Sequence, residues 1–383
     1  MSGPPVPLTS SFFGFTELDS VHYGPGCITE VLPKLLKALG AKKVLLLTGK
    51  SLYTKTDVVK KVESLLKSHD LYGDTFYEIG QHSPVEGINK GISAFKACGA
   101  TAIVSVGGGS PVDAAKVMCY RMQEADGGEF VRQVAIPTTL SAAEYSMGGG
   151  YTNEEGAKVA VSHTKLAPYG IILDAELTLS TPERLWLSTG IRALDHAVEQ
   201  LYRPIVPQPL RVLGYGAIVD LFTYLPASKA DPSNVDIRQK LQVASWMSLW
   251  PFRIIKYAPL GLSHSLGHKL GAAYSIPHGI TSCLTLAPVV ALKSRFASAE
   301  DRAALAHALV HLREPSTGSV DGDVARLSEL IQGLVDGLGL KSSLTEYSVP
   351  REDLSRIAEQ ALGGKDNEGG EYGETVELLE RLY

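Results

Sequence analysis

The spacing of apolar positions divides the chain into two textures. Up to about residue 180, short continuous apolar runs alternate with amphipathic stretches. Residues 43–48 (KVLLLT), behind the helix stop at Gly40, and 101–106 (TAIVSV) are such runs, and they predict strands buried on both faces of a parallel sheet. Residues 72–79 and 131–136 predict two more strands. Helical spacing marks 28–39 and 55–68, the latter with Val58, Val59, Val62, Leu65 and Leu66 on one stripe. Pro84 opens a helix through Cys98, a favoured place for proline, and another helix runs from Val112 towards Arg121. Strands alternating with helices of this length imply βαβ units.

From about Thr181 strand-like runs nearly vanish. Helical patterns cover 182–202, 209–224, 235–257, 260–273, 298–310, 321–337 and 351–362, with Gly/Asp/Glu-rich loops at 316–322 and 363–373. The predicted fold class is α/β, an N-terminal parallel-sheet domain over 1–180 followed by an all-α C-terminal domain over 181–383. A cleft is expected where the texture changes, near residues 178–182.

Composition narrows the partners. The 383 residues carry 36 basic and 41 acidic side chains, a net charge of -5. Nucleic-acid binding would show as a basic domain or stripe, and a membrane surface would call for a polybasic run; the sequence has neither. No stretch of about 18 uncharged apolar residues could cross a bilayer. Cys27, Cys98, Cys119 and Cys283 lie far apart without a CxxC pair, as expected of free thiols in a reducing compartment. The start, Met1-Ser2-Gly3-Pro4-Pro5, lacks the basic and apolar regions of a secretory signal. A soluble cytoplasmic enzyme is expected.

Two loops carry candidate chemistry. Gly107-Gly108-Gly109-Ser110-Pro111-Val112-Asp113 sits between a predicted strand and a predicted helix. Glycines there let an anion approach backbone N–H groups and a helix N-terminus. It is not the GxGxxG fingerprint, and three glycines alone are also compatible with a ligand-free tight turn. Thr138, Thr139 and Ser141 follow the next predicted strand with clustered hydroxyls. Two donor-rich loops at strand ends point to a dinucleotide at the carboxyl edge of the sheet.

Histidines supply the second pattern. Arg192 and His196 are four residues apart on one predicted helix, His264 and His268 on another, and His278 follows ten residues later. Side chains four apart share a helix face. Imidazoles converging from separate helices make a metal site or an acid/base site.

The Gly107–Ser110 loop, Pro137-Thr138-Thr139, the segment from Gly190 to His196, and Gly261-Leu262 followed by His264, His268 and His278-Gly279 occur in this order. Together they resemble the iron-containing (group III) alcohol dehydrogenase family, within the dehydroquinate-synthase-like fold. The resemblance implies an α/β domain holding NAD(P) and a helical domain holding a divalent metal on one aspartate and three histidines. By position the histidines would be His196, His264 and His278, with His268 beside them.

Arg192 stands where that family has its ligand aspartate. An arginine cannot ligate a cation. Asp195, adjacent to His196, is expected to point about 100° away from it on a helix and to be a poor substitute. This departure is similar to the maleylacetate reductase branch, with its G-x-R-A-x-x-H pattern and no metal requirement, as is Gln81-His82-Ser83-Pro84-Val85-Glu86. Ser282 and Leu286-Ala287-Pro288 depart from the bacterial members of the branch. Gly49, where NAD-specific relatives carry a carboxylate, and the following Lys50 would admit NADPH, although Gly49 could equally serve only a turn. Lys158 matches a family lysine near the nicotinamide ribose, and Asp113 completes the expected cofactor set.

The expected activity is therefore reduction by NADH or NADPH of an activated C=C or C=O bond in a small carboxylated oxo-compound, without metal. Arg192 would anchor the acceptor, His268 or His264 would protonate the enolate, and His196 and His278 would complete a polar wall. A metal-dependent alcohol dehydrogenase using His196, His264 and His278 is the first alternative, and a non-redox isomerase or cyclase the second. The expected partner is a small anionic substrate, and a homodimer is expected because members of the family commonly dimerise.

Overall fold

The computed structural model describes residues 13–81, 83–203, 206–249, 253–254, 259–365 and 370–383. The N-terminal half runs β1 (Phe13–Gly14), β2 (Ser20–Tyr23), α1 (Ile28–Ala38), β3 (Val44–Leu47), α2 (Lys50–Lys55), α3 (Val58–Ser68), β4 (Tyr72–Phe76), α4 (Val85–Ala97), β5 (Ala102–Gly107), α5 (Gly109–Asp126) and β6 (Arg132–Pro137). A hairpin of β7 (Gly148–Thr152) and β8 (Lys158–Ser162) follows, and then β9 (Gly170–Leu173). Helices α6 (Glu183–Leu201), α7 (Gln208–Ala230) and α8 (Val235–Ser248) come next, then β10 (Arg253–Ile254). The chain closes with α9 (Leu262–Tyr274), α10 (His278–Phe296), α11 (Ala299–Leu312), α12 (Val320–Gly337), α13 (Leu354–Leu362) and α14 (Glu371–Arg381).

Six strands form one sheet in the order β2-β9-β6-β5-β3-β4, every pairing parallel. Its strands read as unbroken apolar runs because both faces are covered. Val44 and Leu46 pack with α1 and α3, while Leu45 and Leu47 pack with α4 and α5, the period-two alternation of a strand. After β3 the chain goes outward to β4 and returns to β5 on the other side of β3. The carboxyl ends of β3 and β5 therefore flank the crevice where open α/β sheets bind ligands.

The second half is helical as expected. Its centre is α6, buried at every position from Trp186 to Leu201 and packed against α7, α8 and α10. No helix among the described residues is long and apolar enough to cross a membrane.

Several boundaries differ from the periodicity reading. The helix expected over 235–257 ends at Ser248, and Arg253–Ile254 instead pairs antiparallel with β1. The pattern over 55–68 splits after Lys55, where Thr56 is extended. The loop expected over 363–373 gives way to α14 at Glu371. Helix α10 escaped the reading because it is buried almost all round and carries Pro288 inside it, so it shows no amphipathic stripe. The β7–β8 hairpin and the short strands β2 and β9 were likewise missed.

Candidate active site

The glycine loop is shaped by close approach. Gly107 has a φ of 139°, and a Cβ there would lie 2.9 Å from Pro111 Cγ, so only glycine fits. A Cβ on Gly108 would meet the Thr139 side chain at 3.2 Å, and one on Gly109 would meet Ser141 Oγ at 3.5 Å. The two predicted loops thus touch and form one cradle, with Thr138 N donating to Gly107 O at 2.9 Å. Ser83 donates to Ser110 O at 2.9 Å and so closes the 81–86 stretch over the cradle; His82 of that stretch lies outside the described residues. Asp113 accepts from Gly150 N at 3.3 Å and so ties α5 to β7.

Gly49 caps α2 with φ -97°, a conformation open to any residue, and a Cβ there would find only Ile79 O at 3.6 Å. The turn does not require glycine. Lys50 begins α2 and is exposed.

In the helical half, Arg192 is 7% exposed. Its Nη1 donates to Ser282 Oγ at 3.2 Å and lies 3.5 Å from Asp195 Oδ2. Asp195 is fully buried and accepts from Ser263 Oγ at 3.0 Å and Ser282 Oγ at 2.5 Å. The expectation that Asp195 points elsewhere is overturned. Its direction was judged from His196, but it lies three residues from Arg192 and four from Glu199, both facing neighbours on a helix. Ser282, one of the departures from the bacterial branch, holds the Arg192–Asp195 pair.

Glu199, which sequence reasoning missed, organises the other side. Its carboxylate accepts from Ser263 N at 2.8 Å and His264 N at 3.3 Å, capping the N-terminus of α9 from another helix. It also meets His264 Nδ1 at 2.7 Å and Tyr202 Oη at 2.9 Å. Gly261 makes this possible, since a Cβ there would fall 2.6 Å from Glu199 Oε1. The only hint in the sequence was the i,i+4 spacing of Asp195 and Glu199.

His264 therefore turns Nδ1 to the carboxylates, and its buried Nε2 has no hydrogen-bond partner among the described residues, nor has His196 Nδ1. The His196 and His264 rings lie 4.7 Å apart, and those of His268 and His278 lie 5.6 Å apart. Lys158 on β8 meets His278 Nε2 at 2.9 Å, so this bond joins the β7–β8 hairpin to the histidine cluster. Among the described residues, one group of three could hold a metal ion: Asp195, Glu199 and His264, with ligand atoms within 4.8 Å of one another. The expected trio of His196, His264 and His278 forms no such group among the described residues; His278 Nε2 is engaged by Lys158.

Electrostatics separates the four histidines. Burial and the Arg192 charge work against protonation of His264, but Asp195 and Glu199 outweigh them and raise its pKa. Burial, then His264 and Arg192, push His196 well below the usual range. His268 is pushed down to about 3 by its surroundings, burial first, then Arg192, His264 and Lys158, although its outer edge stays open to solvent. Burial also opposes charge on Asp195, yet His264, Arg192 and Ser282 hold its pKa below the ordinary aspartate range. Lys158 is lowered to about 8 by burial and then Arg192, with Asp113 opposing.

The family model of the iron-containing alcohol dehydrogenases matches residues 19–175, and that family's C-terminal model matches residues 186–376. The chain belongs to the iron-containing alcohol dehydrogenase family. A maleylacetate reductase of Rhizobium sp. strain MTP-10005 is 29% identical over 294 residues, 76% of each chain. The dehydrogenase ALT3 of Alternaria alternata is 27% identical over 84% of this chain and 93% of its own. The crystal structure of the Rhizobium maleylacetate reductase superposes with a TM-score of 0.80 at 24% identity, covering 97% of this chain and 98% of that one. The expected fold class holds, and this member of the iron-containing alcohol dehydrogenase family is an NAD(P)-dependent oxidoreductase. That sets aside the non-redox isomerase or cyclase.

Proposed function

We propose that the enzyme uses NADH or NADPH to reduce an activated C=C or C=O bond of a small carboxylated oxo-compound, as a maleylacetate reductase does, and without a metal ion. The observation that carries this reading is the Arg192 guanidinium buried between Ser282, Asp195 and the histidines. A guanidinium is a permanent planar cation suited to a carboxylate or a developing enolate.

Asp195, Glu199 and His264 are the residues that could hold a divalent cation, and two features weigh against one there. The Asp195 and Glu199 carboxylates already accept from Ser263, Ser282, His264 and Tyr202. Arg192 would stand as a like charge within the same dry cluster, where repulsion is weakly screened. Arg192, and His264 when protonated, balance the two carboxylates without further charge.

When bound, NAD(P)H would supply a hydride to the electron-poor carbon of the acceptor, giving an enolate from an activated C=C bond or an alkoxide from a C=O bond. Arg192 holds the acceptor and stabilises the enolate oxygen. His264 gives the proton through Nε2, its Nδ1 being fixed by Glu199. His268 is the weaker choice for this step, since its surroundings keep it neutral. His196 and His278 line the wall, and Lys158 reaches from the cofactor side. The Gly107–Ser110 loop with Asp113, Thr138, Thr139 and Ser141 cradles the dinucleotide. The absence of any conformational need for glycine at 49 supports loss of a carboxylate there, which together with Lys50 favours NADPH.

The test is a screen of NADH and NADPH oxidation against maleylacetate, other unsaturated and saturated oxo-diacids, and uncharged aldehydes. Activity confined to the carboxylated acceptors supports the reading. A preference for uncharged aldehydes overturns it.

A further inference from the structure

One buried charge has no part in the proposed chemistry. Lys116, in the interior of α5, is 0% exposed. An ammonium carries three N–H donors and no acceptor, and all three are used: Nζ reaches Ala143 O at 2.5 Å, Ser146 Oγ at 2.9 Å and Gly148 O at 2.9 Å. These acceptors fall within residues 143–148, the segment joining the Thr138–Ser141 donor loop to β7. Ala142, the buried residue just before this segment, has φ 61°. Burial works against charge on Lys116 and lowers its pKa, opposed by Asp113, whose Oδ1 lies 3.6 Å from Nζ, and by the buried Glu144. Oxygens converging on one point with two carboxylates nearby make the surroundings of a small monovalent cation, here filled by a side chain of the protein itself.

The position of this cation ties three parts of the cofactor side together. Lys116 belongs to the helix that the glycine loop opens. Gly109 packs on Ser141 and Ala143, where a Cβ would approach to 3.5 Å. Gly149 lies so close to α5 that a Cβ would meet Asp113 O at 3.0 Å and Lys116 Cβ at 3.2 Å. The hairpin so clamped carries Lys158 to His278. Without the ammonium, Ser146 Oγ would lose its donor and Ala143 O and Gly148 O would each lose one of theirs, leaving the two carbonyls to share the single Ser146 hydroxyl proton at 3.1 and 2.8 Å, and under-satisfied buried polar groups favour rearrangement.

We propose that the Lys116 ammonium is a tethered monovalent cation that holds the glycine loop, the 138–148 loop and the β7–β8 hairpin in the arrangement that binds NAD(P)H. It is a positioning residue, not a participant in hydride or proton transfer. The proposal rests on the oxidoreductase assignment and is independent of which acceptor is reduced.

The experiment is a fluorescence titration of the full-length protein with NADH and NADPH, comparing wild type, Lys116→Ala and Lys116→Met. Each is titrated in methylammonium chloride and in choline chloride at equal ionic strength. Lys116→Ala should bind cofactor roughly tenfold more weakly or worse, the scale of losing charged hydrogen bonds. Methylammonium, small enough to enter the vacated space, should restore much of the affinity, while choline should not. Lys116→Met fills the space without charge, so it should bind weakly in both salts. Should Lys116→Ala fold only in methylammonium, the cation role is supported equally. Wild-type affinity in Lys116→Met overturns the proposal, as does a folded Lys116→Ala whose loss methylammonium leaves unchanged. If Lys116→Ala folds in neither salt, the affinity of Lys116→Met decides. None of these readings requires turnover, so a failed acceptor screen leaves this test intact.

Discussion

Arg192 touches a serine hydroxyl and a carboxylate that are both fully buried, so removing it takes a cationic partner from both. Arg192→Ala should lower kcat/KM for a carboxylated acceptor roughly 100-fold, the ~3 kcal/mol scale of a hydrogen bond to a charged group. Steady-state kinetics with the best acceptor reads this, and an unchanged kcat/KM refutes the anchoring role. Lys158 gives a second prediction at this scale. Its pKa is lowered to about 8, burial first and Arg192 second, so the ammonium is present below that pH and is lost above it. Activity should fall as the pH rises through about 8, and Lys158→Met should lack this limb of the pH–rate profile. The grouping of Arg192 with the histidines was legible because their spacing and residue types stand out, while Lys158 was singled out only by the family resemblance. Glu199 was not, because capping a distant helix leaves no local mark, and Asp195 was misread because one angle was measured from the wrong neighbour.

At the scale of elements, the site depends on how closely α10 lies on α6. A Cβ on Gly279 would fall 2.7 Å from the Ser188 carbonyl, a backbone group that cannot rotate away. Gly279→Ala should destabilise the fold by about 1–3 kcal/mol, as overpacking does, and should displace the adjoining His278 from Lys158. Urea unfolding measures the first effect, and loss of the Lys158 limb in the pH profile measures the second. A stability within about 0.5 kcal/mol of wild type would show that the contact is slack. Strands β3, β5 and β6 and most helices could be read from periodicity, because each buries a definite stripe or run. The β7–β8 hairpin could not: it rests on glycines packed against α5, and glycine contributes no apolar signal. Helix α10 was hidden for the opposite reason, being apolar on every side.

At the scale of the molecule, the net charge of -5 says little about the cleft. There Arg192 and Lys158, and His264 when protonated, place positive charge near two buried carboxylates. That local arrangement has to be read from the fold, because its members come from β8, α6 and α9, far apart in the chain. The central claim is that these internal cations, and no divalent metal, support reduction of a carboxylated acceptor. The most direct measurement is the initial rate of NADH and NADPH oxidation on maleylacetate by protein exhaustively dialysed against a strong chelator. Oxidation at the undialysed rate, unaltered by added zinc or ferrous iron, is the predicted result. A dialysed protein that is inactive until one of those ions is returned would contradict the account.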